Sequence, residues 1–91
     1  MLDRIKVRNM TNSKGNKVYN QVVIDTPDGT YFQSYHIVIA YIPYGVGNTV
    51  LDPNWDYSRT TNRYRNLFLG EGKKETERKI KEGTYVVKNL N

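Results

Sequence analysis

The 91-residue chain has no cysteine, one histidine, one tryptophan, and no apolar run approaching the roughly 18 residues of a membrane-spanning helix. The missing cysteines exclude disulfide staples and thiolate chemistry, and fit a reducing compartment. A single histidine without cysteine leaves too few ligands for zinc. No metal and no cofactor are expected. The opening residues MLDRIKVRNM lack the apolar core of a signal peptide, so a soluble intracellular protein with no membrane partner is expected.

What is present is charge and tyrosine. The formal net charge is +5, and eight of the aromatic residues are tyrosines. A net positive balance permits an anionic partner, either nucleic acid or an acidic protein surface. Tyrosine suits a thin core, because its ring can be buried while its hydroxyl reaches water. At this length one domain, residues 1–91, is expected.

Residues 3–8, DRIKVR, alternate: Ile5 and Val7 on one side, Arg4, Lys6 and Arg8 on the other. Period two predicts a half-buried strand with the apolar pair inward. TNSKGNK, residues 11–17, is a loop. VYNQVVID, residues 18–25, is a second strand. TPDGT follows, with Pro27, Asp28 and Gly29 in turn positions, and YFQSYHIVIAYI, residues 31–42, is a third. Strand, tight turn and strand predict an antiparallel hairpin around 27–29. Apolar residues on both faces from Ile37 to Ile42 predict cover on both sides. TVLD, residues 49–52, is a short strand stopped by Pro53.

The stretch WDYSRTTNRYRNLFLGEG, residues 55–72, has helical periodicity. Tyr57, Thr61, Tyr64 and Phe68 recur at spacings of four, three and four, widened by Thr60 and Leu67. Arg59, Asn62, Arg63 and Asn66 take the opposite face, with Arg65 towards its edge. Asp56 or Ser58 can cap the first turn, and Gly70 follows the last apolar residue. KKETERKIKEG predicts a second helix ended by Gly83, with Glu75–Lys79 and Glu77–Lys81 in the favourable i,i+4 order. TYVVKNL, residues 84–90, closes the chain as a strand. The expected fold is α+β: a small antiparallel sheet of three to five strands with two helices, about 57–69 and 73–82, packed on one face. Tyr57, Thr61, Tyr64, Phe68, Ile37 and Ile39 are its expected core.

Over roughly residues 31–90 the chain resembles a family of small uncharacterised proteins of phages, plasmids and other mobile elements of Gram-positive bacteria. The matching residues are Ser34, Tyr35, Ile39 and Ala40; then Trp55, Asp56, Tyr57, Ser58, Thr60 and Thr61; then Phe68, Leu69, Gly70 and Glu71. The second and third groups together fit W-D-Y-S-x-T-T-x6-F-L-G-E. Many relatives carry His or Gln at the position of Tyr64, so histidine chemistry there does not transfer. The resemblance implies an accessory protein in the cytoplasm of a bacterial host. Small proteins in that setting are often stoichiometric binders.

Three functions follow as expectations. The first is a non-enzymatic module that binds a host or defence protein, or a nucleoprotein complex, as anti-CRISPR-type inhibitors do. The second is a nucleic-acid-binding protein using Arg59, Asn62, Arg63, Arg65 and Asn66, because Arg and Asn read base edges and hold phosphates. Against it stands a solvated helix face interrupted by Glu71, Glu75, Glu77 and Glu82. The third is a metal-free ribonuclease using Arg63, Tyr64 and His36. Trp55 is either an interface anchor or a plug beside the helix entry. Turn and cap roles account for Asp25, Asp28, Asp52 and Asp56. Whether the cations of residues 4–17 meet those of the helix depends on the fold.

Overall fold

Turn residues divide the first half of the chain into hairpins. A computed structural model describes residues 4–91. Its strands are β1 (Lys6–Thr11), β2 (Lys17–Asp25), β3 (Gly29–Ser34), β4 (Ile37–Pro43), β5 (Thr49–Leu51) and β6 (Tyr85–Val87). Helices α1 (Arg59–Leu69) and α2 (Lys73–Glu82) stand between β5 and β6. The six strands lie side by side in chain order, β1 to β5 antiparallel and β5 to β6 parallel. The closing strand therefore departs from the all-antiparallel expectation. Adjacent parallel strands need a long crossover, and the two helices supply it.

The hairpin expected around 27–29 is present as β2–β3. Thr26 and Gly29 bond to each other across it. Gly29 admits no side chain: a Cβ would come within 2.6 Å of the Tyr41 ring and 2.5 Å of the Ile42 carbonyl.

The single strand expected over 31–42 is two. Tyr35 and His36 turn the chain, so His36 is an exposed turn residue rather than a mid-strand one. Tyr35 takes φ 58°, a costly conformation for a residue with a Cβ. Its amide donates to the Asn20 carbonyl at 2.6 Å, and the Gln33 amide donates to its carbonyl at 3.1 Å.

Register gives the sheet two unlike faces. Val23, Phe32, Ala40 and Leu51 pair in series across β2 to β5, and all are buried. Phe32, Ala40 and Leu51 form one buried cluster with Ile39, Tyr64 and Tyr85, and Ile37, Trp55, Phe68 and Ile80 pack against it. Thr61 is fully buried, and its hydroxyl bonds the buried Ser34 hydroxyl at 2.7 Å. Among the described residues the opposite face carries no helix. Val38 and Tyr41 on it are half-buried, so the expected cover on both sides of residues 37–42 is absent.

β1 shows the expected alternation with its faces exchanged. Arg8 pairs with buried Val23 on the helix side. Val7 pairs with Ile24 on the bare side and is 65% exposed. Side chains alternate strictly along a strand, so the neighbour's register and not the polarity of β1 decides which set turns inward. Asp3, at the start of the expected strand, lies outside the described residues.

A candidate protein-binding groove between β1 and α1

Helix α1 starts at a cap and not at its first aromatic residue. Ser58 is the N-cap, and its hydroxyl accepts the Thr61 amide at 3.1 Å. Tyr57 therefore lies outside the helix and is 56% exposed, not core as expected. Gly70 closes the helix in the left-handed conformation at φ 73°, and Gly83 closes α2 at φ 82°. From Thr61 onward the buried positions are 61, 64 and 65, with Phe68 and Leu69 half-buried.

Arg65 overturns its expected place on the exposed face, because its side chain is fully buried. Its Nη1 donates to the Trp55 carbonyl at 2.6 Å and to Asn62 Oδ1 at 2.8 Å; its Nη2 donates to Asn66 Oδ1 at 2.9 Å. The guanidinium sits 5.0 Å from the centre of the Trp55 ring. A planar cation fits this role, since it can stack and donate at once. Burial pulls the guanidinium pKa below its usual value, and Asp56, Glu71 and Glu77 oppose that shift. Asn62 and Asn66 are thus partners of Arg65 rather than free base readers. Trp55 is half-buried and packs against the core.

The carboxylates nearby are also engaged. Asp56 accepts from Lys73 at 2.9 Å and from Asn62 Nδ2 at 2.6 Å, with Lys73 chiefly lowering its pKa. Burial pushes Glu71 up, but donors Lys79, Thr76 and Tyr85 outweigh it and leave the carboxyl below its usual value. Burial likewise opposes ionisation of Asp52. Hydrogen bonds from the Leu90 and Asn54 amides and from the Asn91 and Asn54 side chains win, and its pKa is lowered. Asp52 thereby fastens the C-terminal residues to the sheet. The i,i+4 pairs expected on α2 give way to others. Lys79 reaches Glu71 at 2.7 Å, and Arg78 pairs with Glu75 and Glu82.

What remains open lies on the other side of α1. Leu67, expected to widen the buried stripe, is 60% exposed. With Tyr64, Arg63 and Asn66 it forms one wall of a groove of about 880 Å³, whose other wall is β1 and its turn, from Arg8 to Ser13. A smaller pocket of about 330 Å³ shares Arg8, Met10 and Leu67 with it and reaches Phe68 and Ile42. Among the described residues no acidic side chain lines either. Arg8 has Asp25 only at 3.7 Å, both groups being partly exposed, so its charge stays available. The cations of β1 and α1 therefore do meet, at Arg8 and Arg63. Arg59 is exposed one turn before Arg63 but does not line the groove.

The groove was legible in part. Arg63 and Asn66 belong to the expected binding set; Arg8, Met10 and Leu67 do not. The exposed alternation of β1 was the available signal for Arg8. Of the residues considered for ribonuclease chemistry, Arg63 and Tyr64 line the groove and His36 does not. Among the described residues no three His, Cys, Asp or Glu side chains gather as a metal site requires. No helix there is long and apolar enough to cross a membrane.

Neither the curated proteins nor the solved structures contain a match to the chain. A family model does match, over residues 5–83, which takes in every element described above except β6. The chain belongs to that family, a family of unknown function (DUF8033).

Proposed function

We propose that this protein is a non-enzymatic binding module that takes an acidic, amphipathic segment of a partner protein into the groove between β1 and α1. The groove itself carries this reading: apolar Met10 and Leu67, continued by Phe68 in the adjoining smaller pocket, are flanked by Arg8 and Arg63, with no acidic lining residue among those described. Apolar residues of a partner would gain from these apolar side chains. Its carboxylates would meet two arginines able to bind them bidentately. Methionine adapts its shape to a ligand surface. β1 is also an edge strand, so its outer backbone groups can pair with an added strand. The mobile-element setting implied by the resemblance fits a stoichiometric binder of a host or defence protein.

A second reading, nucleic-acid binding, is favoured by the open cations Arg8, Arg59 and Arg63. It is the weaker one. Tyr64 is only 5% exposed and cannot offer its ring for base stacking.

Capture from a Gram-positive lysate separates them. Tagged protein is compared with its Leu67→Asp and Arg63→Glu variants, with and without nuclease. The protein-binding reading expects a partner that survives nuclease and is lost on both variants. Recovery that vanishes with nuclease supports the second reading. A partner retained by both variants places binding elsewhere.

A further inference from the structure

The bare face of the sheet carries one continuous apolar row. Val7 pairs with Ile24, Ile24 with Tyr31, Tyr31 with Tyr41, Tyr41 with Val50, and Val50 with Val86. The row crosses all six strands and contains no charge. The adjacent paired positions Asn9, Val22, Gln33 and Val38 are also uncharged. Tyr31 and Tyr41 meet at its middle, ring centres 4.5 Å apart. None of the six is fully buried, and Val7 and Val86 are exposed. An antiparallel sheet with one face in water normally alternates apolar-in and polar-out. On β1 the reverse holds, with Arg8 on the helix side and Val7 outside. Such an exchange leaves an apolar strand face in water unless another surface covers it.

We infer that this face is a dimer interface, covered by the same face of a second copy of the chain. Three observations select that occupant. The first is symmetry of the row. Read from either edge it runs aliphatic, aliphatic, tyrosine, tyrosine, aliphatic, aliphatic. A two-fold axis along the strands, between Tyr31 and Tyr41, brings Val7 opposite Val86, Ile24 opposite Val50, and Tyr31 opposite Tyr41. A two-fold interface requires this self-complementarity. The second is charge. A protein of net charge +5 resists its own association, yet Arg8 and Arg63 lie on the helix side, so copies meeting at the bare faces hold these cations apart. The row itself offers no cation to a nucleic acid. The third is size. The molecule measures 34 × 32 × 20 Å, and six neighbouring strands about 4.8 Å apart make its sheet roughly 25 Å wide. A face of those dimensions covers roughly the 800 Å² per partner of a standard stable interface. Stacked sheets about 10 Å apart with their strands near alignment are an ordinary packing. The groove stays open on the outer side of each copy, so the dimer presents two.

Sedimentation equilibrium on the full chain over a concentration series tests this. The expected species at about 100 µM, where a micromolar interface is saturated, has twice the 10.6 kDa chain mass. Val7→Lys and Ile24→Lys each put a cation into the row, and each is expected to raise the dissociation constant at least about tenfold. Val7 is exposed in the single chain, so its variant keeps the fold, and circular dichroism verifies this. Arg63→Ala, on the other side, leaves the dimer unchanged. A wild-type chain that remains a monomer at that concentration overturns the inference. So does a dimer indifferent to both lysine variants.

Discussion

Arg63 and Arg65 stand two residues apart on α1 and have opposite surroundings. Arg65 faces the Trp55 side, where the charged groups are engaged inside the molecule: its two Nη atoms on Trp55, Asn62 and Asn66, Asp56 on Lys73, Glu71 on Thr76, Lys79 and Tyr85. Arg63 faces β1, and with Leu67 of α1 and Arg8 and Met10 of β1 it lines a groove with no acid among the described residues. The difference separates what the conspicuous stretch Trp55–Glu71 does for folding from what it leaves for a partner. Trp55, Asp56, Ser58, Thr61, Phe68, Gly70 and Glu71 each have a contact that builds the fold. Most of the motif is thus a clasp between helix, sheet and closing strand.

The strongest way to break the comparison is to treat the two arginines alike. Arg65→Ala removes three hydrogen bonds and a stacked cation from a buried site, and is expected to cost about 3–5 kcal/mol. Arg63→Ala is expected to stay within about 0.5 kcal/mol. Urea unfolding reads both, and equal losses would end the distinction. The helix and the residue just before its cap give a second contrast. Tyr64→Ala should cost about 3–5 kcal/mol as a buried aromatic truncation, whereas exposed Tyr57→Ala should be near neutral. A large loss at Tyr57 would restore the longer helix expected from periodicity.

Acid sharpens the account of the engaged side. Asp52 and Glu71 have pKa values lowered in the folded state. The unfolded chain binds their protons more readily, so the stability they contribute is present above about pH 4 and is lost as pH falls through the folded values. Thermal unfolding between neutral pH and about pH 3 should show this fall, since those values straddle the carboxylate range. Asp52→Asn should lower stability by about 2 kcal/mol at neutral pH and flatten the acid limb. An unchanged limb would mean that Asp52 does not hold the tail. The smallest effect has the opposite sign. Gln21 is fully buried, and its amide atoms have no hydrogen-bond partner among the described residues. Gln21→Leu is therefore expected to be neutral or to stabilise by about 1 kcal/mol. A clear loss in urea unfolding would show that the amide is satisfied in solution.

The sequence made local features legible and left distant ones unread. The 27–29 turn, the Gly70 and Gly83 stops, and the two helices were visible because each signal lies within a few residues. The β3–β4 turn was missed because Tyr35 and His36 carry none of the usual turn residues; Asn20, on another strand, holds Tyr35 in place. Arg65 was misplaced because its burial depends on the Trp55 carbonyl and ring, outside the helical pattern. The faces of β1 were exchanged because pairing with β2 fixes them. Half of the groove was foreseen for the same reason: Arg63 follows from the helix wheel, whereas Arg8 reaches it only through the sheet.

Hydrogen–deuterium exchange on the protein with and without its captured partner tests the central claim most directly. The account predicts new protection on β1 and its turn, residues 8–13, together with residues 63–67 of α1, and none around Trp55 beyond that already present. Protection confined to the Trp55–Asn62 segment or to α2, with the groove unchanged, would contradict it.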